Sequence, residues 1–299
     1  GVKNAPMAVM TDKTPDMIAA FLGCVYSGNF YTPIDVTMPK ERILSIFETL
    51  KPVVLLIDEK SKKQAAALGY TGETLVLEEI PEGNVNEEAL AEVRRKAIDT
   101  DPLYALFTSG STGVPKGVVI SHQAVVNLTE WYTETFSITE KEVIGNQAPF
   151  DFDVSVKDIY STISAGATMQ IIPKQKFSFP TILIDYLIER KITTLIWAVS
   201  ALCILSSYRA FSYKVPADVK KVLFSGEVMP IRQLNEWKKY LPEATFVNLY
   251  GPTEITCNCT YYKLEKGEFT GDTLPIGRPF PNERVFLLGD DGTLVKDKN

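Results

Sequence analysis

Histidine is almost missing from this 299-residue chain, with one copy, and cysteine is scarce, with four. Four cysteines in a chain of this length do not form a disulfide framework. Cys24, Cys203 and His122 stand apart, without the paired spacing of metal ligands. Cys257 and Cys259 flank Asn258. In a strand both thiols would share one face, and buried structural thiols are expected rather than a metal site. Long basic runs are also lacking. The clusters at 60–63 and 94–96 are short, which fits solvated helix faces, and the formal net charge is −6. A nucleic-acid surface is therefore not expected. No apolar run is long enough to span a bilayer, and the first residues carry no signal-peptide pattern, so membrane insertion is not expected and a cytoplasmic location is. Internal repeats and low-complexity segments are absent. What remains is ordinary globular composition, 45% hydrophobic and 23% charged, with room for a large core.

The richest stretch is Leu106 to Gly117, LFTSGSTGVPKG, with three glycines, four hydroxyls and one lysine behind an apolar run. Glycine lets a backbone approach a ligand closely. Backbone N–H groups, hydroxyls and an ammonium all donate to phosphate oxygens. The stretch reads as a polyphosphate-wrapping loop. It is not a P-loop, because Lys116 is followed by Gly117 rather than by Ser or Thr. Nor is it the dinucleotide pattern, whose first glycine position holds Thr108.

Short apolar runs alternate with amphipathic ones. Strands are expected over 7–10, 29–34, 53–57 and 104–108, and helices from Thr14-Pro15-Asp16 to about Tyr26 and over 40–50. A strand over 118–121 and a helix over 122–136 follow, with His122 as a helix-start residue. A second αβ series runs from 159 to 224, and beyond Thr245 short strands and turns end at 284–288 and the turn Asp290-Asp291-Gly292. The fold class is α/β with mostly parallel sheets.

Two further segments hold more functional groups than a fold requires. In Asn146 to Tyr160, NQAPFDFDVSVKDIY, Asp151 and Asp153 sit among apolar residues. From spacing alone, Asp153 or Ser155 reads best as a helix cap. In Asn248 to Thr256, NLYGPTEIT, an aromatic ring, a turn, a hydroxyl and a carboxylate could stack a base, hold a phosphate and ligate Mg²⁺. Taken alone, a tight turn before a strand is the simpler reading.

Together, LFTSGSTGVPKG, APFDFDVSV, LFSGE and NLYGPTE resemble the adenylate-forming enzymes. More narrowly, they resemble the amino-acid adenylation domains of non-ribosomal peptide synthetases and the D-alanine–carrier protein ligases. GNFYTPID at 28–35 and TLPIGR at 273–278 extend the likeness over nearly the whole chain. The resemblance implies the large N-terminal part of that fold: αβαβα layered lobes with mostly parallel sheets and a C-terminal β-rich region. It implies a first αβ lobe at 1–100 that lacks a short N-terminal segment, a second with the phosphate loop at 101–245, and a β-rich segment at 246–299 that completes the nucleotide site. The family's small C-terminal lobe, with its ribose-binding Asp and catalytic Lys, would lie beyond Asn299, so the chain by itself is expected to turn over poorly.

The same resemblance implies roles. Thr108, Ser109, Gly110, Ser111, Thr112, Gly113 and Lys116 would hold the β- and γ-phosphates of ATP. Gly226, Glu227, Asn248, Leu249, Tyr250 and Gly251 would surround adenine, with Tyr250 stacked on it. Thr253 would contact the α-phosphate and Glu254 would ligate Mg²⁺; Thr108, Lys116, Thr253 and Glu254 are thus the catalytic candidates. Asp153 would bind a substrate α-amino group, in a pocket completed by Val154, Lys157, Ile196, Leu223, Ser225, Leu249, Cys257 and Asn258. The implied reaction forms an aminoacyl-AMP and pyrophosphate, then transfers the aminoacyl group to the phosphopantetheine thiol of a carrier protein. NQAPF and SGEVMP look closest to the D-alanine ligases, so D-alanine or another small amino acid is favoured. Ser225 and Lys157 replace the Cys and the apolar residue usual there. Lys157 would pair with a polar or acidic side chain, or snorkel to solvent. The alternatives are an acyl- or aryl-CoA ligase of the same superfamily, which needs no carboxylate at Asp153, and a non-catalytic nucleotide-binding module.

Overall fold

A computed structural model of the chain describes residues 3–81, 83, 85–108 and 115–295. The first half runs β1 (Pro6–Met10), α1 (Pro15–Tyr26), β2 (Phe30–Pro33), α2 (Lys40–Leu50), β3 (Val54–Ile57), α3 (Lys62–Leu68), β4 (Glu73–Val76), α4 (Glu87–Lys96), β5 (Pro102–Thr108) and β6 (Lys116–Ser121). The second runs α5 (His122–Thr135), β7 (Val143–Asn146), α6 (Val154–Ala165), β8 (Thr168–Ile171), α7 (Pro180–Glu189), β9 (Thr194–Ala198), α8 (Val199–Ser207), β10 (Lys221–Ser225), α9 (Ile231–Tyr240), β11 (Thr245–Tyr250), β12 (Thr260–Lys263) and β13 (Arg278–Pro279).

The strands form two sheets, in the orders β4-β3-β1-β2-β5-β6 and β13-β12-β11-β10-β9-β7-β8. All pairs are parallel except β5 with β6, β11 with β12 and β12 with β13. Parallel strands are covered on both faces, which explains unbroken apolar runs such as VLLI in β3 and TLIWA in β9. Alternation along the strands then decides which layer each side chain joins. Ala8, Met10, Leu55 and Ile57 pack under α2 and α3, whereas Val9 and Leu56 meet α1, α5 and α6. In the second sheet, Val222 and Phe224 pack on α7, α8 and α9, while Ile196, Leu223 and Val247 face α5. The result is an αβαβα stack in which α1, α5 and α6 lie between the sheets. The first sheet extends past residue 100, because β5 joins β2 and carries β6 with it.

One expected feature differs, and one conditional reading is settled. The 284–288 run forms no strand beyond a single bridge from Leu288 to Leu294, with a turn closed by Gly289 N to Thr293 O. Cys257-Asn258-Cys259 is a turn: Thr256 and Cys257 both take left-handed backbone angles, φ 63° and 76°. His122 does begin α5, behind the Ser121 cap, whose Oγ accepts from Ala124 N.

The amino-terminal edge of the second sheet is tied by one carboxylate. Glu142 accepts from Thr193 Oγ1 at 2.5 Å and Thr194 Oγ1 at 2.6 Å, and pairs with Lys221. It thereby joins the starts of β7, β9 and β10. These hydrogen bonds and the lysine hold its carboxyl below the usual range despite burial. Glu142→Ala strips Lys221 of its carboxylate partner, leaving it Ser137 O, and removes the short acceptor of both hydroxyls; it should cost about 3 kcal/mol in denaturant unfolding. Because the folded pKa is depressed, the contribution is present above the ordinary carboxylate range and is lost as pH falls through the folded value.

Candidate active site

In open α/β sheets, ligands sit at the carboxyl ends of the strands. Here the segments beyond β7, β10 and β11 converge at that edge. Beyond β11 the chain turns through Gly251-Pro252 into a single 3₁₀ turn, Thr253–Ile255. It then doubles back so closely that a Cβ on Gly251 would lie 2.5 Å from Asn258 Cα. That return brings Cys257 and Asn258, both buried, beneath the end of the sheet.

Asp153 stands at the N-cap position of α6, yet its side chain caps nothing. The helix-cap reading fails because Ser155 Oγ turns back to Phe152 O at 2.7 Å and the Asp153 carboxylate finds another donor. Thr253 Oγ1 donates to Asp153 Oδ2 at 2.6 Å, across 100 residues of sequence. Lys157 lies one helical turn on, so it shares the face of Asp153. It does not snorkel: it is 1% exposed. Its ammonium donates to Asn258 Oδ1 at 2.6 Å and approaches Ser225 Oγ at 3.5 Å. Burial pushes the Cys257 thiol up to about 12, with the Lys157 charge pulling the other way. That thiol is protonated at neutral pH. Ile196, Leu223, Leu249 and Cys257 belong to one apolar cluster behind this polar face, and Val154 is partly exposed at its rim.

Around the opening the groups are accessible. Gly226, in a left-handed conformation, and Glu227 are exposed past β10, and Tyr250 is 50% exposed at the end of β11. Glu254 is exposed on the same turn as Thr253. Asn248 is tied inward, its Nδ2 donating to Pro275 O at 2.9 Å. Thr108 and Lys116 face each other across the β5–β6 pair, and β6 packs against the 253–255 turn. Ser109, Gly110, Ser111, Thr112 and Gly113 lie outside the described residues. Among the described residues, no group of three His, Cys, Asp or Glu side chains could hold a metal ion.

This geometry places the termini of three strands and one helix around a single junction of carboxylate, hydroxyl and exposed ring. The chain matches the family described as AMP-binding enzyme over residues 1–299. It belongs to the AMP-binding enzymes. A D-alanine--D-alanyl carrier protein ligase of Bacillus cytotoxicus is 32% identical over 310 residues, covering 98% of this chain and 58% of the ligase. The solved structure of the non-ribosomal peptide synthetase FmoA3 superposes with a TM-score of 0.86 at 23% identity, over 97% of this chain and 30% of that one. That of IdnL1 gives 0.77 at 25% identity, over 99% and 60%. The chain spans 58% of the length of the curated ligase it matches. No helix among the described residues is long and apolar enough to cross a membrane.

A buried carboxyl beside this candidate site is assigned no role by any motif read above. Asp158, fully buried on α6, accepts from Asn146 Nδ2 at 2.5 Å, and its Oδ1 has no partner among the described residues. Burial raises its carboxyl to about 7, against the pull of Asn146, Lys157 and Lys13. Lys13 is itself lowered to about 8 by burial, and donates to Gln147 O at 3.1 Å. The signal was visible as two adjacent charges, Lys157-Asp158, inside an otherwise uncharged helix stretch. Only packing decides that both face inward.

With a folded pKa above the unfolded value near 4, Asp158 binds its proton more tightly in the native chain. Its stabilising contribution is full below about pH 4 and is lost as pH rises through about 7. Asp158→Asn should therefore flatten the decline of Tm between pH 5 and 7.5. An unchanged slope would show that this carboxyl does not titrate there.

Proposed function

We propose that this chain supplies the ATP- and amino-acid-binding part of an enzyme that activates D-alanine or another small amino acid as its aminoacyl-AMP. The Thr253–Asp153 hydrogen bond carries this reading, because it joins the phosphate-side turn to a carboxylate suited to an α-ammonium group. In the reaction, a substrate carboxylate oxygen attacks the α-phosphorus of ATP, and the bond from that phosphorus to pyrophosphate breaks. Asp153 holds the α-ammonium group, and Thr253 turns its hydroxyl to the α-phosphate. Lys116 and Thr108, with the glycine-rich stretch of sequence between them, take the β- and γ-phosphates. Tyr250 offers its exposed face to adenine, beside Gly226 and Glu227. The exposed Glu254 carboxylate, with no ion pair among the described residues, fits a hydrated hard cation. Mg²⁺ held there would neutralise phosphate charge. The largely buried walls around Lys157 favour a small substrate side chain. The adenylate would then pass to a carrier protein's phosphopantetheine thiol, with AMP leaving. Asp153 at the junction supports an amino acid over the acyl substrate of a CoA ligase.

Amino-acid-dependent exchange of pyrophosphate into ATP by the full-length protein, across D- and L-amino acids, tests the proposal. Exchange is expected with a small amino acid. Absence of exchange with every amino acid would overturn it. The 299-residue chain, which spans 58% of the length of the curated ligase it matches, is expected by itself to exchange at least about 100-fold more slowly, because a reaction that relies on positioning depends steeply on every positioning group.

A further inference from the structure

Asp153 and Lys157 occupy one face of α6, four residues apart, and both reach toward the 253–258 return. One helical turn, about 5.4 Å, separates them. An amino acid whose α-ammonium rests on Asp153 and whose side chain points down the helix face meets Lys157 within two or three bonds of its Cα. We infer that Lys157 makes this pocket selective for an amino acid whose short side chain ends in an oxygen acceptor, a carboxylate best and a hydroxyl next. The inference rests on the amino-acid-activating reading above.

Charge supports it. A buried ammonium is costly unless paired and hydrogen-bonded. Lys157 has one short bond, to the neutral amide of Asn258, and a long approach to the Ser225 hydroxyl. Two carboxylates on its own helix stand near. Asp158 is pushed toward the protonated form by burial, so it neutralises Lys157 incompletely at neutral pH. Asp153 accepts from Thr253 and, on substrate binding, is engaged by the incoming α-ammonium group. Ile196, Leu223 and Leu249 supply no acceptor. Lys157 is then the uncompensated charge of the pocket. A substrate that is cationic at Cα and anionic two or three bonds away mirrors Asp153 and Lys157 in sign and order. An alanine methyl leaves the ammonium facing carbon. The lysine stem also fills depth that a long side chain would need, since Lys157 is fully buried among these residues.

The test uses the full-length protein and measures kcat/KM for amino-acid-dependent pyrophosphate exchange with aspartate, serine, alanine and phenylalanine in both hands, and with glycine. Aspartate or serine is expected to exceed alanine of the same hand by about 10- to 100-fold, the range of a hydrogen bond to a charged group. Lys157→Met should bring that ratio toward one, and Asn258→Asp, which neutralises the ammonium from the opposite side, should do the same. Lys157→Arg should keep the preference. A wild-type preference for alanine, glycine or phenylalanine overturns the inference, as does a ratio that survives in a folded Lys157→Met or, where that variant does not fold, in Asn258→Asp. Exchange with none of the amino acids overturns the amino-acid-activating reading itself, a different and recognisable result.

Discussion

Asp153→Asn is expected to lower amino-acid-dependent pyrophosphate exchange of the full-length protein by about 100-fold or more, with little change in Tm. The substitution keeps the shape of the side chain and an oxygen that can accept from Thr253 Oγ1, now 2.6 Å from Oδ2. What it removes is the charge. A substrate α-ammonium group taken from water then meets a neutral amide, and an uncompensated buried charge costs about 3–5 kcal/mol. At about 1.4 kcal/mol per decade, that spans about two to three and a half orders of magnitude. Because Asp153 is partly exposed and caps no backbone N–H, the folded state depends on it little. ATP affinity, measured separately, should change far less than the exchange rate. Exchange within about threefold of wild type would remove Asp153 from the binding of substrate.

Gly251→Ala should have the largest structural effect of any single methyl in the site, about 3 kcal/mol in unfolding free energy. The added Cβ would meet Asn258 Cα at 2.5 Å, Asn258 C at 2.9 Å and Cys257 O at 2.9 Å. All three are backbone atoms, so no flexible side chain can swing aside. Relief requires the 256–258 turn to lift, and that turn already holds two non-glycine residues in left-handed conformations. Lifting it pulls Asn258 from Lys157 and Thr253 from Asp153. Stability and amino-acid-dependent exchange should fall together, and a wild-type Tm would show that the turn has more slack than its contacts allow.

Much of the architecture was legible in the chain. Apolar runs such as VLLI and TLIWA, spaced by amphipathic stretches, announce buried parallel strands because both faces of such strands meet helices. Lys40–Leu50 and Pro15–Tyr26 form as helices where their periodicity and the Pro15 start place them. The motif order was equally readable, since the residue types suited to phosphates, a base and an amine recur in separate short segments. Side-chain direction was not. Asp153 looked like a cap because capping is a local property of a helix start, and the competing partner, Thr253, lies 100 residues away. Whether Cys257 and Cys259 were strand neighbours stayed open, because alternation applies only in a strand, and the close return beside Gly251 instead holds Thr256 and Cys257 in left-handed conformations.

The sequence by itself determined which elements form and which short segments carry functional groups, because local propensity, period and residue chemistry act over a few residues. Tertiary structure alone decided how those groups face one another. It buried the Lys157 ammonium against Asn258, where the sequence left pairing and snorkelling both open, brought Asp158 fully inside beside Asn146, and set a hydroxyl of one strand's end against a carboxylate of a distant helix's start. Burial and pairing of charges depend on which elements pack together, and no local pattern encodes that.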